Sequence, residues 1–184
     1  MFSVVNASNK YTIPLVVSPF LLLFLLDVIS FPAFADSIAF EDAFSPYQGA
    51  TELVVKTIKE AKRSIHVAAY SFTSKPIADA LVTAHDKGVD VEVVMDKSQH
   101  KGRMMQYIRD HGIPTRINYR YSIMHDKFMV IDEKTLELGS FNYTAAAEKR
   151  NAENVLVIHD EKKIVKDYDK QWKKLWDEAD VKDE

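Results

Sequence analysis

The chain contains no cysteine. That absence excludes a disulfide scaffold, a thiolate nucleophile and any cysteine-ligated zinc. Glycine and proline are sparse, at five and six in 184 residues. No low-complexity tract, internal repeat or interdomain linker interrupts the chain. Positive charge is not in excess either. Against 24 Lys and Arg stand 27 Asp and Glu, a formal net charge of −3. A protein that coats nucleic acid through bulk charge is thereby disfavoured, although a local basic site is not. There is no twin-arginine pair, and no uninterrupted apolar run reaches the ~20 residues of a membrane-spanning helix.

What is present begins with an uneven distribution of hydrophobicity. Residues 13–26 read IPLVVSPFLLLFLL without a charge. Lys10 precedes this stretch, and Ala33-Phe34-Ala35 supplies the small residues of an A-x-A cleavage site. This is the layout of a secretory signal peptide, residues 1–35, with cleavage after Ala35. The competing reading is a retained membrane anchor. Asp27 ends the charge-free stretch, and Pro14, Pro19 and Pro32 disfavour one long helix. Cleavage leaves residues 36–184 as one domain, large enough for a full core without staples. Export without cysteine suits the bacterial periplasm or the medium, so a periplasmic or secreted protein with no stable membrane association is expected.

Within residues 36–184, helical and strand-like patterns alternate. Helical spacing is predicted over residues 50–63, from Ser74 as N-cap to Gly88, over 98–111, and for a last helix carrying Ile164, Tyr168, Trp172, Leu175 and Trp176 on one stripe. Strands are predicted at 64–72, 89–95, 115–119, 127–132, 135–139 and 154–159, with a turn at Glu133-Lys134. The alternation implies an α/β layered domain with helices on both faces of a sheet. The closely spaced strands after residue 115 imply a mixed β-sheet. Residues 177–184 read as an acidic, solvated tail.

One constellation carries chemistry. From residue 125 the chain reads HDKFMVIDEKTLELGSFN. Alternation puts His125 and Lys127 on one side of a strand, and gives Ser140 and Asn142 the same relation at the end of the next. If the two strands pair, an imidazole, a fixed positive charge, a hydroxyl and an amide converge. The set lacks the carboxylate cluster of a Mg²⁺ or Ca²⁺ site, and no metal or other cofactor is expected. Its natural ligand is a phosphate. His66, His85, His111 and His159 have no such company and read as ordinary histidines.

The pattern His125-x-Lys127-x₄-Asp132-x₆-Gly139-Ser140-x-Asn142 resembles the HKD motif of the phospholipase D superfamily with its Gly-Ser-x-Asn extension. Ala69-Tyr70-Ser71-Phe72-Thr73, Met124 and Glu153 are further points of likeness, and the resemblance covers the chain from Ser45 to Trp176. The motif occurs once. A single copy on a short exported chain is similar to the small bacterial endonucleases of that superfamily, in which two chains build one active site. The resemblance therefore implies a phospholipase D-like fold and a metal-independent, largely non-specific phosphodiesterase acting on DNA and possibly RNA. It also implies a homodimer with its active site at the interface. In this scheme one His125 attacks phosphorus to form a phosphohistidine, and the partner chain's His125 protonates the leaving oxygen. Lys127, Ser140 and Asn142 neutralise the developing charge, and Glu153 accepts the Nδ1 proton of His125. Asp132 and Gly139 are expected to be structural.

Basic side chains gather near the motif in sequence. Lys97, His100, Lys101 and Arg103 lie together, Arg116 and Arg120 precede His125, and Lys149 and Arg150 follow it. They are candidates for a nucleic-acid track that grips backbone without reading bases. The alternative function is a phospholipase D-type lipid phosphodiesterase using the same residues.

Overall fold

The computed structural model describes residues 39–179. The predicted signal segment, 1–35, and residues 180–184 of the expected tail lie outside them. The elements run β1 (Ala39–Ser45), α1 (Ala50–Glu60), β2 (Ser64–Ala69), α2 (Lys75–Asp86), β3 (Asp90–Asp96) and α3 (Arg103–Asp110), then β4 (Thr115–Asn118), β5 (Lys127–Ile131), β6 (Thr135–Gly139), α4 (Ala145–Arg150), β7 (Glu153–His159) and α5 (Lys162–Asp177). The seven strands form one mixed sheet in the order β1-β7-β6-β5-β2-β3-β4. The β2, β3 and β4 strands are parallel, and every other pairing is antiparallel.

Apolar side chains divide between the two faces as strand periodicity requires. On one face Val67, Val93, Met129 and Val157 pack under α1, α2 and α3, through Val54, Leu81 and Ile108 among others. On the other, Ala68, Val94, Phe128 and Leu136 pack under α5 through Val165, Trp172 and Leu175. The α5 stripe is thus a core stripe. Trp172 is buried, stacks on His66 at 4.1 Å and donates its Nε1–H to the Val67 carbonyl at 2.9 Å. His66 is held as well by Asp169, 3.0 Å from its Nδ1.

Several boundaries differ from the sequence expectation. The edge strand β1, absent from the reading, pairs along its whole length with β7. Its inward residues are the small Ala43 and Ser45, while Phe40 and Phe44 face outward, so its hydrophobicity is inverted relative to its burial. The predicted helix 98–111 breaks at Gly102. A one-turn 3₁₀ segment at Lys97–Gln99 comes first, and a Cβ on Gly102 would stand 2.9 Å from the Gln99 carbonyl. Ser74 occupies the N-cap of α2, yet its side chain makes no capping bond; its amide donates to Tyr143 O at 2.9 Å. The tail expectation fails at its start. The α5 helix continues to Asp177, Glu178 accepts the Tyr121 hydroxyl at 2.7 Å, and Ala179 is buried.

The turn after β5 is centred on Asp132 and Glu133, one residue earlier than expected. Both have left-handed φ, 55° and 57°, as a type I′ hairpin turn requires. The consequence for the site is topological. The ends of β2, β3, β4 and β6 and the starts of β5 and β7 all fall on one edge of the sheet. Everything that leaves these strands there is brought together.

Candidate active site

At that edge a cavity of about 570 Å³ is lined by His125, Asp126, Lys127, Ser140, Asn142 and Glu153, with Phe128, Leu138, Gly139 and Tyr168 as walls. The five residues expected to be catalytic therefore share one opening. His125 itself is not in a strand. It lies in an irregular segment just before β5, so period-two alternation is not what places it beside Lys127. Two contacts do. The amide of Met124 donates to the buried Asp96 carboxylate at 2.8 Å, and Lys127 folds back on His125.

The ammonium of Lys127 lies 3.0 Å from His125 Nδ1 and also donates to the His125 carbonyl. An ammonium has donors only, so this contact needs Nδ1 as acceptor, and a neutral ring then carries its proton on Nε2. Burial pulls the Lys127 pKa below the ordinary lysine value, partly offset by the negative charges of Asp126 and Glu153. The pair sets an imidazole directly beside a positive charge.

Glu153 differs from the expectation. No hydrogen bond joins it to His125. Its Oε2 accepts the Ser140 hydroxyl at 2.6 Å, and its Oε1 accepts the Asn151 amide at 2.9 Å. Ser140 in turn accepts the Asn154 amide at 3.2 Å. A hydroxyl has one proton to give, and here Glu153 takes it. Ser140 is thus a holder of Glu153 and not a free donor for a phosphate. Asn142 keeps its capacity: its buried Oδ1 has no partner among the described residues, and turning the amide by 180° presents N–H donors at the same place.

The two remaining motif residues have backbone tasks. Asp132 lies at the opposite edge of the sheet. Its carboxylate accepts the amides of Lys62, Arg63 and Ser64 at 2.9, 2.7 and 3.0 Å, while the Arg63 guanidinium bonds its carbonyl. Burial raises its pKa, but the three amides and Arg63 outweigh that and hold it below the ordinary carboxylate range. Gly139 is required by a close approach. A Cβ there would lie 2.1 Å from the Asn154 carbonyl.

Of the basic candidates, none lines this cavity. Lys97 and Arg120 follow β3 and β4 on the same sheet edge, and Lys149 and Arg150 precede β7 there; all four are exposed. Lys97 donates to Tyr121 O at 3.2 Å. Lys101 and Arg103 line a separate opening with His100 and Arg109. Arg116 leaves the set, because it stacks on Trp176 at 4.3 Å and donates to the Trp176 carbonyl at 3.0 Å. It clamps α5 to β4.

Sequence reasoning missed Glu137, which is 1% exposed in the middle of β6. Tyr143, also fully buried, donates its hydroxyl to Glu137 at 2.7 Å. Burial pushes the Glu137 pKa up to about 8, against a smaller lowering by that hydrogen bond. The sheet is covered on both faces, so the acid has no solvent side to turn to.

Comparison with known proteins agrees with this geometry. The family model described as "Cardiolipin synthase, PLD-like domain" matches residues 54–176. The crystal structure of Nuc from Salmonella typhimurium, a phospholipase D family member, superposes with a TM-score of 0.75 at 39% identity, covering 78% of this chain and 97% of that one. A phospholipase D of Rickettsia prowazekii is 36% identical over 131 residues, 70% of this chain and 63% of the relative. A mitochondrial cardiolipin hydrolase of Chlamydomonas reinhardtii is 35% identical over 119 residues, 64% of this chain and 53% of the relative. The chain thus spans less than two thirds of the length of these curated relatives. The seven-stranded layered fold, the matched family model and the likeness to Nuc over 97% of its length together establish that the chain belongs to the phospholipase D superfamily.

Proposed function

We propose that this protein is a metal-independent, largely non-specific endonuclease that cleaves nucleic-acid phosphodiester bonds through a phosphohistidine intermediate. The observation that carries the reading is the meeting of His125, Lys127 and Asn142 around one open polar cavity. His125 is the nucleophile, and its Nε2 attacks phosphorus once Nδ1 carries the ring proton. Lys127 supplies the positive charge facing the equatorial oxygens, a task a metal ion performs elsewhere, and Asn142 adds neutral donors. Glu153, steadied by Ser140 and Asn151, is the carboxylate within the same cavity that can take the Nδ1 proton after a side-chain rotation.

A displacement in two steps needs a nucleophile and an acid at once. Among the described residues no second histidine lines the cavity. The reading therefore includes a homodimer in which the partner chain's His125 protonates the leaving oxygen. The nucleic-acid preference rests on the resemblance of the His125-Lys127-Asp132 motif, with its Gly139-Ser140-x-Asn142 extension, to that of the small bacterial endonucleases of the superfamily. It rests also on the exposed Lys97, Arg120, Lys149 and Arg150 at the site edge, and on the exposed Lys101 and Arg103 at a separate opening. We propose further that residues 1–35 direct export to the periplasm or the medium. Among the described residues no helix is long and apolar enough to cross a membrane.

The relatives named phospholipase D and cardiolipin hydrolase favour a second reading, a lipid phosphodiesterase using the same residues. Parallel assays on plasmid DNA, RNA and vesicles containing a phosphatidyl lipid separate the two. Nucleic-acid cleavage with intact lipid supports the first; lipid hydrolysis with intact nucleic acid replaces it by the second. Sedimentation tests the dimer, and an active protein that stays monomeric at assay concentration refutes it.

A further inference from the structure

Tyr70 is the first residue past β2, and no step above uses it. Its ring centroid lies 4.4 Å from that of His125, with the planes tilted by 53°. The Lys127 ammonium stands 5.2 Å from the centre of the same ring. Both reactive side chains of the motif thus rest against one aromatic surface.

The backbone that carries this ring is fixed from behind. The Phe72 amide donates to Gln99 Oε1 at 3.2 Å. The amides of Thr73 and Ser74 both donate to the Tyr143 carbonyl at 2.9 Å, and the Phe72 ring meets Tyr143 edge-on. The 3₁₀ turn that supplies Gln99 begins at Asp96, whose carboxylate also holds the Met124 amide next to His125. One turn therefore braces both the loop bearing Tyr70 and the segment bearing His125.

We propose that Tyr70 is a positioning residue whose ring holds the His125 imidazole and the Lys127 ammonium in one arrangement. This rests on the assignment of His125 and Lys127 as the reacting pair. His125 is exposed and outside any strand, and Lys127 has four rotatable stem bonds, so neither is oriented by its own backbone. An aromatic face attracts an ammonium through its quadrupole without accepting a full salt bridge. The charge of Lys127 therefore stays available for an incoming phosphate, which a carboxylate at this position would have neutralised. The hydroxyl of Tyr70 makes no hydrogen bond to a described residue, so the requirement is for the ring.

The test compares the full-length wild-type protein with Tyr70→Phe, Tyr70→Leu and Tyr70→Gln. Folding is checked by circular dichroism, and activity is read on bis(p-nitrophenyl) phosphate and on plasmid DNA. Imidazole ¹⁵N resonances of His125 are titrated in the free protein. Tyr70→Phe is expected within about twofold of wild type, as the ring is kept. A folded ringless variant is expected to lose roughly tenfold to a hundredfold in kcat, the scale of a small misplacement of reacting groups, with KM changed less than threefold. Its pH–rate profile and its His125 titration both shift. A folded Leu or Gln variant with wild-type kcat, pH profile and His125 titration overturns the proposal. So does Tyr70→Phe falling as far as the ringless variants. A wild-type protein that cleaves no phosphodiester refutes the underlying function instead, and the titration still decides whether the ring orients His125.

Discussion

Replacing Glu137 with Gln removes a titration that the fold itself creates. The carboxyl is fully buried and its pKa is raised from 4.5 to about 8, chiefly by burial. Below pH 4.5 native and unfolded chains both hold the proton. Between 4.5 and 8 the unfolded chain has released it and the native chain has not. Wild-type stability therefore falls as pH rises through this window, by about 1.4 kcal/mol per unit, and this contribution levels off above pH 8. From pH 5 to pH 8 the loss is on the order of 4 kcal/mol, a large share of the ~5–15 kcal/mol that holds a domain folded. Glu137→Gln keeps a neutral side chain of the same shape against the Tyr143 hydroxyl and does not titrate. Urea unfolding of both proteins at pH 5, 6, 7 and 8 is the assay. The stability difference is expected to move in the variant's favour by about 4 kcal/mol across the range. A difference that stays constant within about 1 kcal/mol, or moves the other way, refutes the claim that this acid is held protonated.

Tyr143→Phe removes the hydrogen bond that lowers the Glu137 pKa, so the alkaline end of the decline moves to higher pH in the same unfolding series. Asp132→Ala strips an acceptor from three backbone amides and costs about 3 kcal/mol in chemical unfolding. Because the folded pKa of Asp132 is depressed, its contribution is present at neutral pH and lost as pH falls through that pKa, so the variant lacks this acid limb. Gly139→Ala forces a Cβ into the Asn154 carbonyl, and both thermal stability and kcat are expected to drop, with a stability loss of about 3 kcal/mol. Ser140→Ala leaves Glu153 without its hydroxyl donor and the Asn154 amide without its acceptor. It should move the pH–rate profile while leaving substrate affinity within a few fold.

The alternating architecture was legible because its central strands are apolar runs, as parallel and doubly covered strands are. The cluster of His125, Lys127, Ser140 and Asn142 was legible from spacing, since antiparallel pairing brings the start of β5 and the end of β6 to one edge. Other features were hidden for definite reasons. In β1 the phenylalanines face out and the buried positions are small, so hydrophobicity pointed the wrong way. Glu137 sits between two leucines and looks like the polar side of an amphipathic strand, yet helices cover both faces. Arg116 stands near Arg120 ahead of His125 in sequence, but β4 turns it onto Trp176. The Ser140–Glu153 bond depends on β6 pairing with β7, which no local pattern encodes.

The most direct test of the account is cleavage of plasmid DNA by the wild-type protein and by His125→Asn, each in excess EDTA. The wild-type protein is expected to cut DNA with EDTA present, and the variant to lose at least about a thousandfold, as removal of a covalent nucleophile does. Cleavage that disappears on chelation, or that persists in the variant, contradicts the account.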